Sequence, residues 1–207
     1  MSETTVNLVS LMPGWYGKLP HLGDFAVRRL PEEFVGPWDG WLQRSLADAR
    51  AELGTQWLDA YLVAPIQRFW LGPGVAGAAP WGGVMMSSVD RVGRYFPLTI
   101  AQPLESLALA LAARDWYAAL DGAARQVLDV HFTVEDLEAA LAALPPAQER
   151  EADDAARRIA RDLSDRLPDG TAVSVWWCDD ASERTAFLCF AGLPPAEAFV
   201  ALLGAAS

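Results

Sequence analysis

The first half of the chain alternates short, dense apolar runs with glycine- and proline-rich turns. This pattern is typical of buried strands joined by tight connections. In the run from Tyr61 to Leu71, Pro65 would remove one backbone hydrogen-bond donor, which predicts that this strand lies at a sheet edge or contains a bulge. The runs that we interpret as strands are Met12 to Leu19, Tyr61 to Leu71, and a hairpin of about 81–89 and 94–102.

The segment between the first two predicted strands has the spacing of an amphipathic helix. Apolar side chains recur there every three or four residues, which predicts a helix with one buried face that includes two tryptophans. Pro37 is tolerable in this helix if it falls in the first turn. The residues that carry the period are Phe34, Trp38, Trp41, Leu42, Ser45, Leu46, Ala49 and Leu53.

From Leu104 alanine and leucine dominate, which favours helices. Thr133 and Asp136 form a capping-box pattern at the start of the second helix. Three Asp–Arg pairs at i,i+4 on the third helix indicate a solvated face rather than a site. The predicted helices lie near 105–129, 133–144 and 147–167, and the three pairs are Asp153–Arg157, Asp154–Arg158 and Asp162–Arg166.

A terminal hairpin follows, and a short helix from Pro195 to Leu203 ends the pattern. A turn centred between residues 183 and 184 would place Cys178 opposite Cys189, so we expect the two thiols to be neighbours, reduced and without a regulatory role. The predicted hairpin strands run from Ala172 to Cys178 and from Thr185 to Phe190.

These elements predict an α+β fold in a single domain over residues 1–207. A largely antiparallel central sheet, buried on both faces, would be covered by helices as a layered sandwich. The helix-rich part is residues 104–167, and the terminal hairpin and helix occupy 171–204.

Charged residues interrupt the central apolar hairpin between Ser87 and Leu98. Charges between buried strands are costly unless they are paired or reach the surface, and Gly93 favours a loop at this point. The segment from Gly14 to Phe25 combines the same residue types. We therefore expect the two segments to lie close in space, with their opposite charges paired. The charged residues concerned are Lys18, Asp24, Asp90, Arg91 and Arg94.

Two interpretations of these charges remain open, and one residue can serve both. The carboxylates can accept backbone N–H bonds in turns while the bases pair with them. Alternatively, charges beside aromatic rings can form a partner-docking surface. In the second case charge reversal at Arg91 or Lys18 should abolish binding with little loss of stability. Arg94→Ala should cost about 3–5 kcal/mol if Arg94 belongs to a buried pair.

Composition excludes several function classes. A net charge of −11 and a pI near 4.5 argue against nucleic acid and anionic membrane surfaces as partners. The chain has no signal-peptide pattern and no apolar run long enough to span a membrane, and two cysteines indicate a cytoplasmic protein. Neither a metal-ligand spacing nor a common phosphate or hydrolase motif is present, and nothing local supports a triad of Ser87 or Ser88 with His21 and Asp24 or Asp90. We expect no metal and no cofactor.

The two charged segments read G-W-Y-G-K-L-P-x-x-G-D-F and S-V-D-R-V-G-R-Y-F-P-L, and together they resemble the TagF (ImpM) family of type VI secretion-associated proteins. The segments Pro37-Trp38-Asp39-Gly40-Trp41-Leu42 and Ala64-Pro65-Ile66-Gln67-Arg68-Phe69 fit the same family, so the resemblance is close over residues 12–103.

The resemblance implies a non-enzymatic negative regulator. Such a protein acts after translation by binding a cytoplasmic forkhead-associated scaffold protein of the secretion system. The alternative is a small-molecule or nucleotide-sensing, enzyme-like domain that uses Lys18, Asp24, Asp90 and Arg94 as its anion and acid–base site.

Overall fold

A computed structural model describes residues 12–148, 154–165, 170–178 and 186–204. The strands are β1 (Gly14–Gly17), β2 (Ala26–Arg28), β3 (Gln67–Leu71), β4 (Trp81–Met86), β5 (Leu98–Pro103), β6 (Val173–Trp177) and β7 (Leu188–Ala191). The helices are α1 (Glu32–Leu53), α2 (Trp57–Val63), α3 (Leu107–Ala112), α4 (Arg114–Gln126), α5 (Val134–Ala142), α6 (Asp154–Ser164) and α7 (Ala196–Leu202). None of the described helices is long and apolar enough to cross a membrane.

The seven described strands form one antiparallel sheet in the order β2-β1-β5-β4-β3-β6-β7. Helices cover both faces, which confirms the α+β fold. One face packs against α1, α2 and α7 and is rich in aromatic rings, whereas the other packs against the Ala- and Leu-rich helices α3 to α6. Alternation along β6 places Trp176 on the first face and Trp177 on the second, as the period of two requires.

Helix α1 buries the predicted face, but it begins earlier than the apolar period indicates. Glu32 and Glu33 form its first turn, where carboxylates are favourable to the helix dipole. Pro37 therefore lies in the second turn, inside the helix, and not in the first turn. Since proline has no N–H, the carbonyl of Glu33 lacks its usual intrahelical donor.

The predicted strand from Tyr61 to Leu71 is wrong in its first half. Trp57 and Tyr61 lie one helical turn apart and stack at a centroid distance of 5.0 Å, so this segment belongs to α2. Pro65 lies in the connection between α2 and β3 and deletes no ladder bond. Strand β3 pairs with β4 and β6, so it is an interior strand and not an edge.

The central hairpin is confirmed, with Met86 opposite Leu98. The helical segment predicted near 105–129 divides into α3 and α4 at Ala113. The capping box at Thr133 and Asp136 is confirmed by bonds in both directions. On α6, Asp154 pairs with Arg157 at 3.4 Å and i,i+3 spacing, and not with Arg158 at i,i+4 as predicted. The pairs that involve Asp153 and Arg166 lie outside the described residues.

The terminal hairpin is confirmed, but its register differs from the prediction. Val175 lies opposite Cys189, and Trp176 lies opposite Leu188. The predicted pairing of Cys178 with Cys189 is therefore wrong. The actual register is shifted by an odd number of residues, which moves a side chain to the other face of the sheet.

Candidate partner-docking site

Two loops converge at one end of the sheet, as the sequence predicted. The first, residues 18–25, joins β1 to β2, and the second, residues 87–97, joins β4 to β5. The backbone N–H of Arg91 donates to the carbonyl of Leu22 at 3.0 Å. The hydroxyl of Ser88 donates to the carbonyl of Lys18 at 2.7 Å. Because the loops share both backbone and side-chain bonds, they form one surface.

Asp90 is the centre of this convergence. Its Oδ2 accepts from Lys18 Nζ at 2.8 Å and from Arg94 Nε at 2.7 Å. Its Oδ1 accepts from the backbone N–H groups of Val92 and Arg94 at 3.0 and 2.9 Å. Burial alone would raise the pKa of the Asp90 carboxyl. The hydrogen bonds from Lys18 and Arg94 outweigh that effect, so the pKa lies well below its ordinary value.

Lys18 is the only lysine of the chain, and its side chain is 5% exposed. Its ammonium lies 4.9 Å from the centre of the Phe25 ring, in addition to its bond with Asp90. A buried ammonium needs a partner of this kind, because an uncompensated charge is costly away from water. Lys18 therefore joins the two loops from inside.

Glycines permit the close approach of the loops. Gly17 has a φ of 135° at the end of β1, and a Cβ there would lie 2.1 Å from the carbonyl oxygen of Pro97. Gly93 has a φ of 85° and closes the turn in which its N–H donates to the Asp90 carbonyl. The loop that Gly93 indicated in the sequence is confirmed, and its positive φ is one that glycine adopts readily.

Tyr61 of α2 holds the second loop from below, which the sequence analysis missed. Its hydroxyl donates to the carbonyl of Ser88 at 2.9 Å and accepts from the Ser88 N–H at 3.0 Å. Burial raises the pKa of this hydroxyl, so it stays protonated and keeps its donor. Tyr95 packs edge-on against both Tyr61 and Trp57. An i,i+4 aromatic pair was visible in the sequence, but its segment was interpreted as a strand.

The outer surface of the two loops combines apolar and charged side chains. Phe25 is 43% exposed and Val92 is 64% exposed. Asp24 and Arg91 are also exposed, and the Asp24 carboxylate accepts from the N–H of Phe25. We refer to Asp24, Phe25, Arg91, Val92 and Arg94 as the loop surface.

The docking interpretation required an exposed Lys18, and the paired interpretation allowed a buried Arg94, but the structure has the opposite burial for both. Lys18 is buried and therefore unavailable to a partner, whereas the side chain of Arg94 is 54% exposed. Arg94 still donates to Asp90 and to the carbonyl of Gly23. The Lys18 ammonium is covered by the Phe25 ring, whereas the Arg94 guanidinium extends from Asp90 to the exposed backbone at Gly23.

A second network holds the base of the β1–β2 hairpin, and the sequence analysis did not find it. Arg29 donates to Glu138 of α5 at 2.6 and 3.0 Å and to the carbonyl of Pro13. Glu138 also accepts from the Trp15 indole at 2.6 Å. These hydrogen bonds, that from Arg29 above all, lower the pKa of Glu138. Arg29 has a φ of 59°, which is uncommon for a residue with a side chain.

The candidate acid, base and nucleophile groups of the loops are engaged in bonds within the protein. Ser88 donates to a backbone carbonyl and Asp90 is bound to Lys18, so neither takes part in a triad with His21. Among the described residues no group of three or more His, Cys, Asp or Glu side chains could hold a metal ion. Of the four residues that the enzyme-like alternative would use, Lys18 and Arg94 are both bonded to Asp90.

Comparisons with known proteins agree on one family. The model of the family described as "TagF N-terminal domain, Type VI secretion system-associated" matches residues 14–144. The chain is similar to PA0076 from Pseudomonas aeruginosa PAO1, known from a crystal structure. The two share 39% sequence identity with a TM-score of 0.73, over 92% of this chain and 93% of that one. No curated protein matches the chain. The chain therefore belongs to the TagF family of type VI secretion system-associated proteins.

Proposed function

We propose that this chain is a non-enzymatic regulator that represses the type VI secretion system after translation. It does so by binding a cytoplasmic forkhead-associated scaffold protein, and it works in the cytoplasm as one domain over residues 1–207. Family membership supports the link to the secretion system. The observation that carries the binding role is the loop surface, where exposed apolar and charged side chains stand on a backbone fixed by a buried ion pair.

The five charged residues have two different roles in this proposal. Asp24, Arg91 and Arg94 contact the partner, because their side chains are exposed. Lys18 and Asp90 are positioning residues, because their side chains are bonded to each other beneath the surface. A surface that is rigid before binding loses less conformational entropy when the partner docks.

The same bonds argue for a binding role over catalysis. A general base must be ready to accept a proton near neutral pH. The lowered pKa of Asp90 makes it a poor base there, and the Lys18 ammonium already donates to it. The small-molecule alternative would need these groups to face a ligand, whereas they face one another.

The test is an isothermal titration calorimetry experiment in which the purified chain is titrated into the purified scaffold protein. Val92→Gln replaces an exposed apolar side chain of the loop surface with a polar one and should weaken binding about tenfold, the size of loss expected when an interface hot spot is removed. Val130→Gln is the matched control, because Val130 is exposed outside these two loops. It should bind like the wild type, and both variants should keep the wild-type unfolding midpoint.

Two results would contradict the proposal. The first is that the wild-type chain does not bind the scaffold protein. The second is that both variants bind as well as the wild type, which would remove the loop surface from the interface.

A further inference from the structure

Of the lysine and arginine side chains in the two loops, only that of Arg91 takes no part in their internal network. Lys18 and Arg94 both donate to Asp90, and the Asp24 carboxylate accepts from the N–H of Phe25. Arg91 contributes its backbone N–H to Leu22, but its guanidinium has no ion pair with any described residue. Its charge is therefore available to a molecule that docks on the loops.

The position of this guanidinium is defined by both loops. One terminal nitrogen of Arg91 lies 3.5 Å from the point where a Cβ on Gly23 would stand, so the side chain lies across the seam between the loops. The exposed Val92 follows it directly, and Phe25 lies two residues beyond Gly23. An arginine beside exposed apolar groups has the composition of an interface hot spot.

We propose that Arg91 recognises the partner by pairing with an Asp or Glu carboxylate in an acidic segment whose apolar side chains contact Val92 and Phe25. The choice of surface rests on the proposed function. A carboxylate fits the planar guanidinium in two parallel hydrogen bonds. A basic segment would face both Arg91 and Arg94, and like charges across an interface are unfavourable. A carboxylate carries a single charge that matches the one available guanidinium, whereas a phosphate with a charge near −2 would be left only partly compensated.

The experiment is an NMR titration of the full, uniformly ¹⁵N-labelled chain with short peptides that alternate valine with a second residue. The second residue is glutamate, lysine or phosphoserine in three otherwise identical peptides. The glutamate peptide should shift the amides of Arg91 and Val92, and added salt should weaken its binding. In Arg91→Ala its affinity should fall about tenfold. Arg158→Ala removes an exposed arginine of α6 and should leave the titration unchanged.

The proposal is overturned if the glutamate peptide gives no response at millimolar concentration, or if the lysine peptide binds equally well. It is also overturned if Arg91→Ala does not weaken binding, or if the phosphoserine peptide binds more tightly than the glutamate peptide.

A parallel titration with the scaffold protein separates this inference from the proposed function. Binding of the scaffold protein by the wild type and by Arg91→Glu with equal affinity would overturn the inference alone. Binding of the glutamate peptide through Arg91, together with no binding of the scaffold protein, would overturn the named partner and support the acidic-segment inference.

Discussion

Two polar networks hold the β1–β2 hairpin, and they differ in burial. At the tip, Lys18 and Asp90 have side-chain exposures of 5% and 0%, and they join two loops from inside. At the base, Arg29 and Glu138 are about one third exposed and join the hairpin to α5 at the surface. The stability of the fold should therefore depend more on the ion pair at the tip than on the one at the base. Solvent can reach the base pair and replace a lost partner, but it cannot reach the buried tip pair.

The largest effect is expected from Asp90→Ala. This change removes the acceptor of four hydrogen bonds and leaves the Lys18 ammonium buried without its carboxylate. The thermal unfolding midpoint should fall by roughly 10 °C, since breaking a buried pair is among the most costly substitutions. Differential scanning calorimetry measures this midpoint. A fall of less than about 2 °C would show that the tip network does not stabilise the fold.

Acidification should remove the same contribution. Because folding lowers the pKa of Asp90 from an ordinary value of 3.8, the ionised carboxylate stabilises the folded state above that value. The contribution is lost as the pH falls through the lower pKa of the folded state. The difference in unfolding free energy between the wild type and Asp90→Asn should therefore be constant near neutral pH and shrink below about pH 4.

Urea unfolding of both proteins from pH 7 down to pH 2 measures this difference. A difference that keeps its full size at the lowest pH would contradict the role of the ionised carboxylate.

Substitutions of Glu138 in the base network should lower the free energy of unfolding less, and by an amount that depends on which bond is lost. Glu138→Ala leaves the Trp15 indole without its acceptor and should cost about 2 kcal/mol. Glu138→Gln retains an oxygen for the indole and loses only the partly exposed ion pair, so it should cost about 1 kcal/mol or less. Urea unfolding at neutral pH compares the two variants. Equal losses would mean that the ion pair with Arg29, rather than the indole bond, dominates at the base.

The smallest effect is expected from Arg94→Ala. The side chain is more than half exposed, and Asp90 keeps Lys18 and both backbone donors after the change. The loss should be about 1 kcal/mol or less, well below the 3–5 kcal/mol that a buried pair would give. The urea midpoint, compared with that of Asp90→Ala, provides the measurement. A loss equal to that of Asp90→Ala would place Arg94 in the same buried unit.

The sequence by itself determined the fold class and the convergence of the two charged loops. Strand and helix periods depend on local spacing, so α1, the central hairpin and the Thr133 capping box were predictable. Lys18 and Asp90 stood out because charges between apolar runs are costly unless they are paired. Because the segment from Gly14 to Phe25 carries the same residue types as the segment from Ser87 to Leu98, pairing between the two was the favourable arrangement.

The tertiary structure alone decided which residues hold the site. Strand β2 has three residues and exists only because β1 pairs with it, so no period marks it. The Arg29–Glu138 pair joins residues 109 positions apart, and ordinary surface charges gave no signal for it.

The same reason applies to the remaining differences. The hydroxyl of Tyr61 reaches Ser88 only because α2 packs beneath the β4–β5 loop, and the register of Cys189 depends on how β6 and β7 pair. Local spacing limits what an element can be, but long-range packing selects its neighbours. The burial of Lys18 and the exposure of Arg94 were decided in the same way, because both bond to Asp90 and only the packing of the two loops determines which of them is covered.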